Sequence, residues 1–188
     1  MKKIILFSFL FISVLCLGQE HMKFRDLEIN GDLTSFISEL EKMDYSLSKT
    51  HDHVAILTGN FIGKNCTLFV VSSPNTETVW KVGVSLPKDE NWSSLKSDYL
   101  SLQKQFTKKY GKPEKEYSFF LKPYYEGDGY EIQALRKEKC YFATIYKIET
   151  GYVILQISEF SNISISYEDK LNTEINKQET EQEVQDQI

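Results

Sequence analysis

NWSSLKSDYLSLQKQFTKKYGKP, residues 91–113, is the stretch whose reading decides the fold. Trp92, Leu95, Tyr99, Leu102, Phe106 and Tyr110 recur at steps of three and four, which places them on one face of a helix. Asn91 offers an N-cap oxygen to the first-turn N–H groups, and Gly111 followed by Pro113 stops the helix. Lys108 and Lys109 sit in the last turn, where the helix dipole favours positive charge. A helix with one apolar face needs a surface to lie on, and the runs on both sides have the period of strands.

Upstream, Asn30-Gly31 marks a turn, and Asp32 caps a second helix carrying Leu33, Phe36, Ile37, Leu40 and Met43 at helical spacing. Asp44 follows, where Gly would be the usual left-handed terminator. Residues 45–50 and 53–61 flank His51-Asp52, read as a tight hairpin turn. Residues 66–72 form a near-continuous apolar run, as in a central strand. In residues 79–86, Trp80, Val82, Val84 and Leu86 alternate with Lys81, Gly83 and Ser85, so one sheet face is covered and the other wet.

Beyond the Trp92 helix, strands are expected at 116–121, 130–136, 140–148 and 152–159, with 163–167 as a last edge strand. Helix, then about four strands, occurs twice, which suggests an internal duplication. The expected architecture is α+β: one domain over 19–167, made of two helix-and-antiparallel-meander units at about 24–88 and 89–167. Cys66 and Cys140 then each open the third strand of their unit. Residues 168–188 are rich in Glu and Gln and read as a tail, helical at its start and frayed or disordered at its end.

Residues 1–18 read as an export signal: Lys2 and Lys3, an apolar run from Ile4 to Leu17, and small residues at a cleavage site after Gly18. The run is shorter than the ~20 residues of a membrane span, and no later stretch is longer, so no span is expected. The alternative is a lipoprotein anchored through Cys16, against which Leu15 stands where a lipobox needs a small residue. The expected location is periplasmic or extracellular.

The chain holds 22 basic and 27 acidic residues, a net charge of −5. Residues 168–188 carry seven acidic and two basic residues, so the body is nearly neutral. That argues against nucleic acid and anionic lipid, both of which require a basic patch. Cys66 and Cys140 remain after export. They can be bridged by a disulfide in an oxidising compartment or stay as two buried thiols.

The segments FRDLEINGDL at 24–33, WSSL with KYGKP at 92–113, LTG-x-F at 57–61 and Y-x-D-K-x-N at 167–172 resemble a group of uncharacterised exported proteins of gut Gram-negative anaerobes. The likeness covers most of the mature chain and implies no activity, so it supplies no functional residue. Asp26 and Asp44 stand where that group usually carries Gly. The order of helices and strands is also similar, at fold level, to the tandem module of the β-lactamase-inhibitor-protein type. Fold likeness does not transfer function.

Chemistry-bearing patterns are few. His51 and His53, at i and i+2, are candidate metal ligands if they share a strand face, but no third ligand stands near them. There is no G-x-S-x-G elbow, P-loop or dinucleotide-binding glycine pattern, and three histidines leave little for acid–base chemistry. No cofactor is implied. KPYYEGDGYE at 122–131 brings Tyr124, Tyr125 and Tyr130 into a glycine-containing loop, the kind of surface that makes contacts. Glu126 and Asp128 in that loop offer too few oxygens for calcium. Trp80 and Trp92 fall on apolar faces and read as core. The expectation is an exported, non-catalytic module that binds an unknown protein or saccharide. The alternatives are a protein inhibitor of a secreted enzyme and a carboxylate-dependent hydrolase of glycans or peptides.

Overall fold

The computed structural model describes residues 20–186. The expected export signal, Cys16 included, lies outside the described residues. In chain order the elements are β1 (Lys23–Phe24), β2 (Leu27–Glu28), α1 (Leu33–Lys42), β3 (Ser46–His51), β4 (Val54–Phe61), β5 (Lys64–Ser72) and β6 (Val79–Ser85). They continue with α2 (Trp92–Tyr110), β7 (Lys115–Phe120), α3 (Glu131–Arg136), β8 (Cys140–Ile148), β9 (Gly151–Ile157), β10 (Ile163–Asp169) and α4 (Lys170–Asp186). β1 and β2 form a small hairpin, and the other eight strands form one antiparallel sheet in the order β3-β4-β5-β6-β10-β9-β8-β7. The protein is thus mixed α/β with an antiparallel sheet. Among the described residues, no helix is long and apolar enough to cross a membrane.

The decisive helix forms where its spacing requires. The Asn91 side chain accepts from the Ser94 N–H (2.9 Å), and Gly111 ends α2 at φ +84° with its N–H on the Thr107 carbonyl. Leu95, Tyr99, Leu102 and Phe106 are buried against the sheet. The seat is partly polar: Tyr99 Oη and Gln103 Nε2 meet Thr144 Oγ1 at 2.6 and 2.9 Å, and Tyr146 Oη donates to the Gln103 carbonyl at 3.0 Å. Burial pushes the Tyr99 hydroxyl up to about 12, so it remains a neutral hydrogen-bonding group. α1 is capped by Asp32, whose carboxylate accepts from the Ser35 N–H (2.9 Å), and buries Leu33, Phe36, Ile37 and Leu40. Asp44 does take the left-handed conformation after α1, at φ +65°.

Three sequence expectations are corrected. Residues 130–136, expected as a strand, form the short helix α3, so β8 is the second strand of its meander and Cys140 does not match Cys66 in position. Residues 163–167, expected at the edge, belong to β10, which lies mid-sheet between β6 and β9; the edges are β3 and β7. Alternating Ile and Ser report one buried and one open face, which any strand of a one-layer sheet shows, central or not. The tail begins after Asp169 and is helical throughout its described length, to Asp186.

A buried polar knot ties the ends of the fold together. Asp169, fully buried, accepts the Met22 N–H on Oδ2 (2.7 Å) and the Asn172 N–H on Oδ1 (2.8 Å), the second bond capping α4. Asn172 Nδ2 donates to the Ile29 carbonyl (2.9 Å) and the Val79 carbonyl (3.0 Å). Farther along α4, Glu179 receives the Asn75 N–H and the Thr76 N–H and hydroxyl, at 2.7, 3.2 and 2.7 Å. Replacing Asn172 by Ala leaves two buried carbonyls unpaired. Asn172→Ala is expected to cost about 2–4 kcal/mol, read as a lower urea midpoint at unchanged slope.

Partial burial raises the Glu179 carboxyl, but the Thr76 hydroxyl and the Asn75 and Thr76 amides outweigh it and hold the group below its ordinary value. A depressed folded value means that this contact stabilises fully above the unfolded glutamate range and fades as pH falls through the folded value. Amide protection factors in α4, corrected for the intrinsic pH dependence of exchange, are therefore expected to fall on acidification, and Glu179→Gln should flatten that dependence.

Candidate functional site

The strand registers set the two ends of the sheet. Phe61 pairs with Lys64, Ser85 with Thr67 and Ser164, Ile157 with Ile163, and Phe119 with Tyr141, so the β4–β5, β7–β8 and β9–β10 connections emerge at one end. Among the described residues, every exposed large apolar side chain in a connecting loop lies there: Ile62 in the β4–β5 turn, Leu121, Tyr125 and Tyr130 before α3, and Phe160 before β10. Phe160, Tyr125 and Tyr130 are 68%, 65% and 60% exposed. The turns at the other end, residues 52–53, 73–78, 111–114 and 149–150, carry none. Ile62 also holds φ +50°, a left-handed conformation that a β-branched residue adopts only with strain.

The tyrosine loop is braced from within. Asp128 accepts the Tyr125 N–H (3.0 Å) and the Tyr130 N–H (2.7 Å), and buried Glu131 accepts the Gly127 N–H (2.8 Å). Gly127 and Gly129 sit at φ +87° and +77°, which gives the loop its shape. The carboxylates thus hold backbone amides, and Glu126 is paired with Lys96, so the acids considered for calcium already have partners. Between this loop and the start of α2 lies a shallow cleft of about 480 Å³, lined by Trp92, Lys96, Leu100, Glu126 and Glu131 among others. The short span 131–136 turns helical because Glu131 stands in its first turn and Arg136 in its last, with Ala134 and Leu135 buried.

Of the three tyrosines, Tyr125 and Tyr130 project into solvent, whereas Tyr124 is half-buried and packs on the core. Trp92 packs edge-on against Phe120 and Phe142 as expected. Trp80 does not share the face of Val82. The register shifts between Val71 and Ser72, so Val79 takes the core position and Trp80 is half-buried outside the apolar cluster.

His51 and His53 do not share a strand. His51 pairs with Val54, which makes Asp52-His53 the turn. His51 Nδ1 lies 2.8 Å from Asp52 Oδ2 in solvent, and no group of three or more His, Cys, Asp or Glu able to hold a metal occurs among the described residues.

The disulfide alternative is overturned. Cys66 on β5 and Cys140 on β8 are both free, and four interstrand steps separate their strands, about 19 Å, where a disulfide needs Cα atoms within about 7 Å. Both are buried small apolar groups. Burial raises both thiols, and the negative charge of Glu126 and Glu131 helps push Cys140 up to about 12.

Sequence reading missed Ile62, Phe160 and an aromatic corner on the open sheet face, where Phe119 stacks on Tyr141 (ring centroids 5.1 Å) and Tyr117 joins at 6.4 Å. Each residue was legible as apolar; only the strand registers bring them to one end. Comparisons with protein-family models, curated proteins and solved structures return no match.

Neither thiol is expected to react with a thiol-specific chromogenic reagent at pH 8 while the protein is folded, and both should react at once in denaturant. Reaction of either in the native state would contradict the burial described.

Proposed function

We propose that the chain is an exported, non-catalytic protein-interaction module whose contact surface is the end of the sheet that presents Ile62, Leu121, Tyr125, Tyr130 and Phe160. The observation that carries this reading is the segregation of exposed loop hydrophobics to that end, opposite a set of polar turns. Exposed tyrosine on a braced loop adds contact area at small entropic cost. The buried carboxylates have structural partners: Asp169 and Glu131 accept backbone N–H groups. The signal-like residues 1–18 motivate the export part of the proposal. The meeting of two four-stranded meanders at β6 and β10 supports reading the body as two related units, 24–88 and 89–167, although Cys66 and Cys140 occupy different strands within them.

A photo-cross-linking residue placed at Tyr125, and separately at Lys112 in the opposite turn, tests the surface in envelope extract. A discrete protein adduct is expected from position 125 and not from 112, and Tyr130→Ala should weaken it. Equal labelling from both positions would refute the assignment.

A further inference from the structure

The register of the sheet allows its open face, the one turned away from α1 and α2, to be read row by row, because directly paired residues share a face. One row runs across all eight strands: Lys49, Ile56, Phe69, Gly83, Ser166, Ile154, Ile145 and Lys115. The next, toward the polar end, runs His51, Val54, Val71, Lys81, Glu168, Tyr152 and Lys147. On the other side, the Thr58, Thr67, Ser85, Ser164, Gln156, Ala143 and Tyr117 row leads to the Phe119–Tyr141 pair. The floor is therefore aliphatic, aromatic and hydroxyl-bearing. Phe69, Tyr117, Phe119 and Tyr141 are exposed on it.

Charge on this face is one-sided. Among the paired strand residues described, Lys49, Lys81, Lys115 and Lys147 stand on it against Glu168 alone, and Glu168 is paired with Lys81 at 2.8 Å. Lys49, Lys115 and Lys147 have no ion-pair partner among the described residues, and Lys49 and Lys115 lie on the two edge strands. A chain with five more acidic than basic residues has thus placed lysines around one apolar floor. At about 4.8 Å per strand the face is roughly 34 Å wide, and the paired rows run for roughly 20 Å, close to the ~800 Å² each partner gives to a standard interface.

We infer that this face, together with the aromatic corner, docks an acidic protein surface. The inference rests on the interaction reading above and adds the chemistry of the partner. A second copy is disfavoured, since lysines would oppose lysines. A nucleic acid is disfavoured because the lysines stand apart at the rim, without the contiguous basic track a phosphate backbone needs.

A glutamate–tyrosine copolymer is the acidic probe, with polylysine and oligothymidylate as controls, and backbone amide NMR shifts as the readout. The copolymer should shift amides of β7, β8 and β9, and raised salt should weaken it. Lys49→Glu, Lys115→Glu and Lys147→Glu together, all exposed and checked for an unchanged melting temperature, should cut its affinity about tenfold. Absence of shifts on this face, binding of oligothymidylate there, or a dimer that buries it would overturn the inference. The cross-link from position 125 separates the two readings. An adduct undiminished by the triple reversal rules out an acidic partner and leaves the interaction module standing. No adduct in the parent protein removes the interaction reading itself.

Discussion

Everything in this fold depends on a carboxylate buried at the end of the sheet's central strand. Asp169 closes β10, starts α4 and holds the backbone of Met22, while Asn172 one turn later gathers the carbonyls of Ile29 and Val79. Four separate segments are fixed by these two side chains. A buried carboxylate is costly unless amides meet it, and here they do. Phe24, two residues after the tied Met22, then packs on Phe61 and Tyr167, and Tyr45 closes over Gly59, where an added Cβ would overlap its ring.

Three of the four short segments quoted from the sequence, all but residues 92–113, contribute to this knot and to the core beside it. FRDLEINGDL supplies Phe24, Ile29 and the Asp32 cap; Y-x-D-K-x-N supplies Tyr167, Asp169 and Asn172; LTG-x-F supplies Gly59 and Phe61. Those residues hold the protein together, and Phe61 leads directly into Ile62 of the surface proposed for contact.

How much was legible follows from which forces are local. α1 and α2, with caps at Asp32 and Asn91, could be read because spacing and capping are properties of neighbouring residues. The place of β10 could not, since alternation reports which side of a strand is buried and not which strands flank it. Residues 130–136 are too few for a helical period to outcompete an apparent alternation of Tyr130, Ile132 and Ala134. The tyrosine loop was visible as composition, and Tyr125 and Tyr130 do project from it. The aromatic corner and the lysine-rimmed floor were not visible, because they assemble from strands far apart in sequence whose order emerges only when the sheet closes.

The tie between Met22 and Asp169 also fixes where the described chain enters the sheet relative to the aromatic tips. The described chain enters the sheet at the foot of β10, beside Gly151 of β9, and the aromatic tips stand at the far pole, roughly 20–25 Å away along the strands. Force applied at Glu20 would load the Asp169 hydrogen bond first, so the same carboxylate that organises the interior also takes the first strain where the described chain enters.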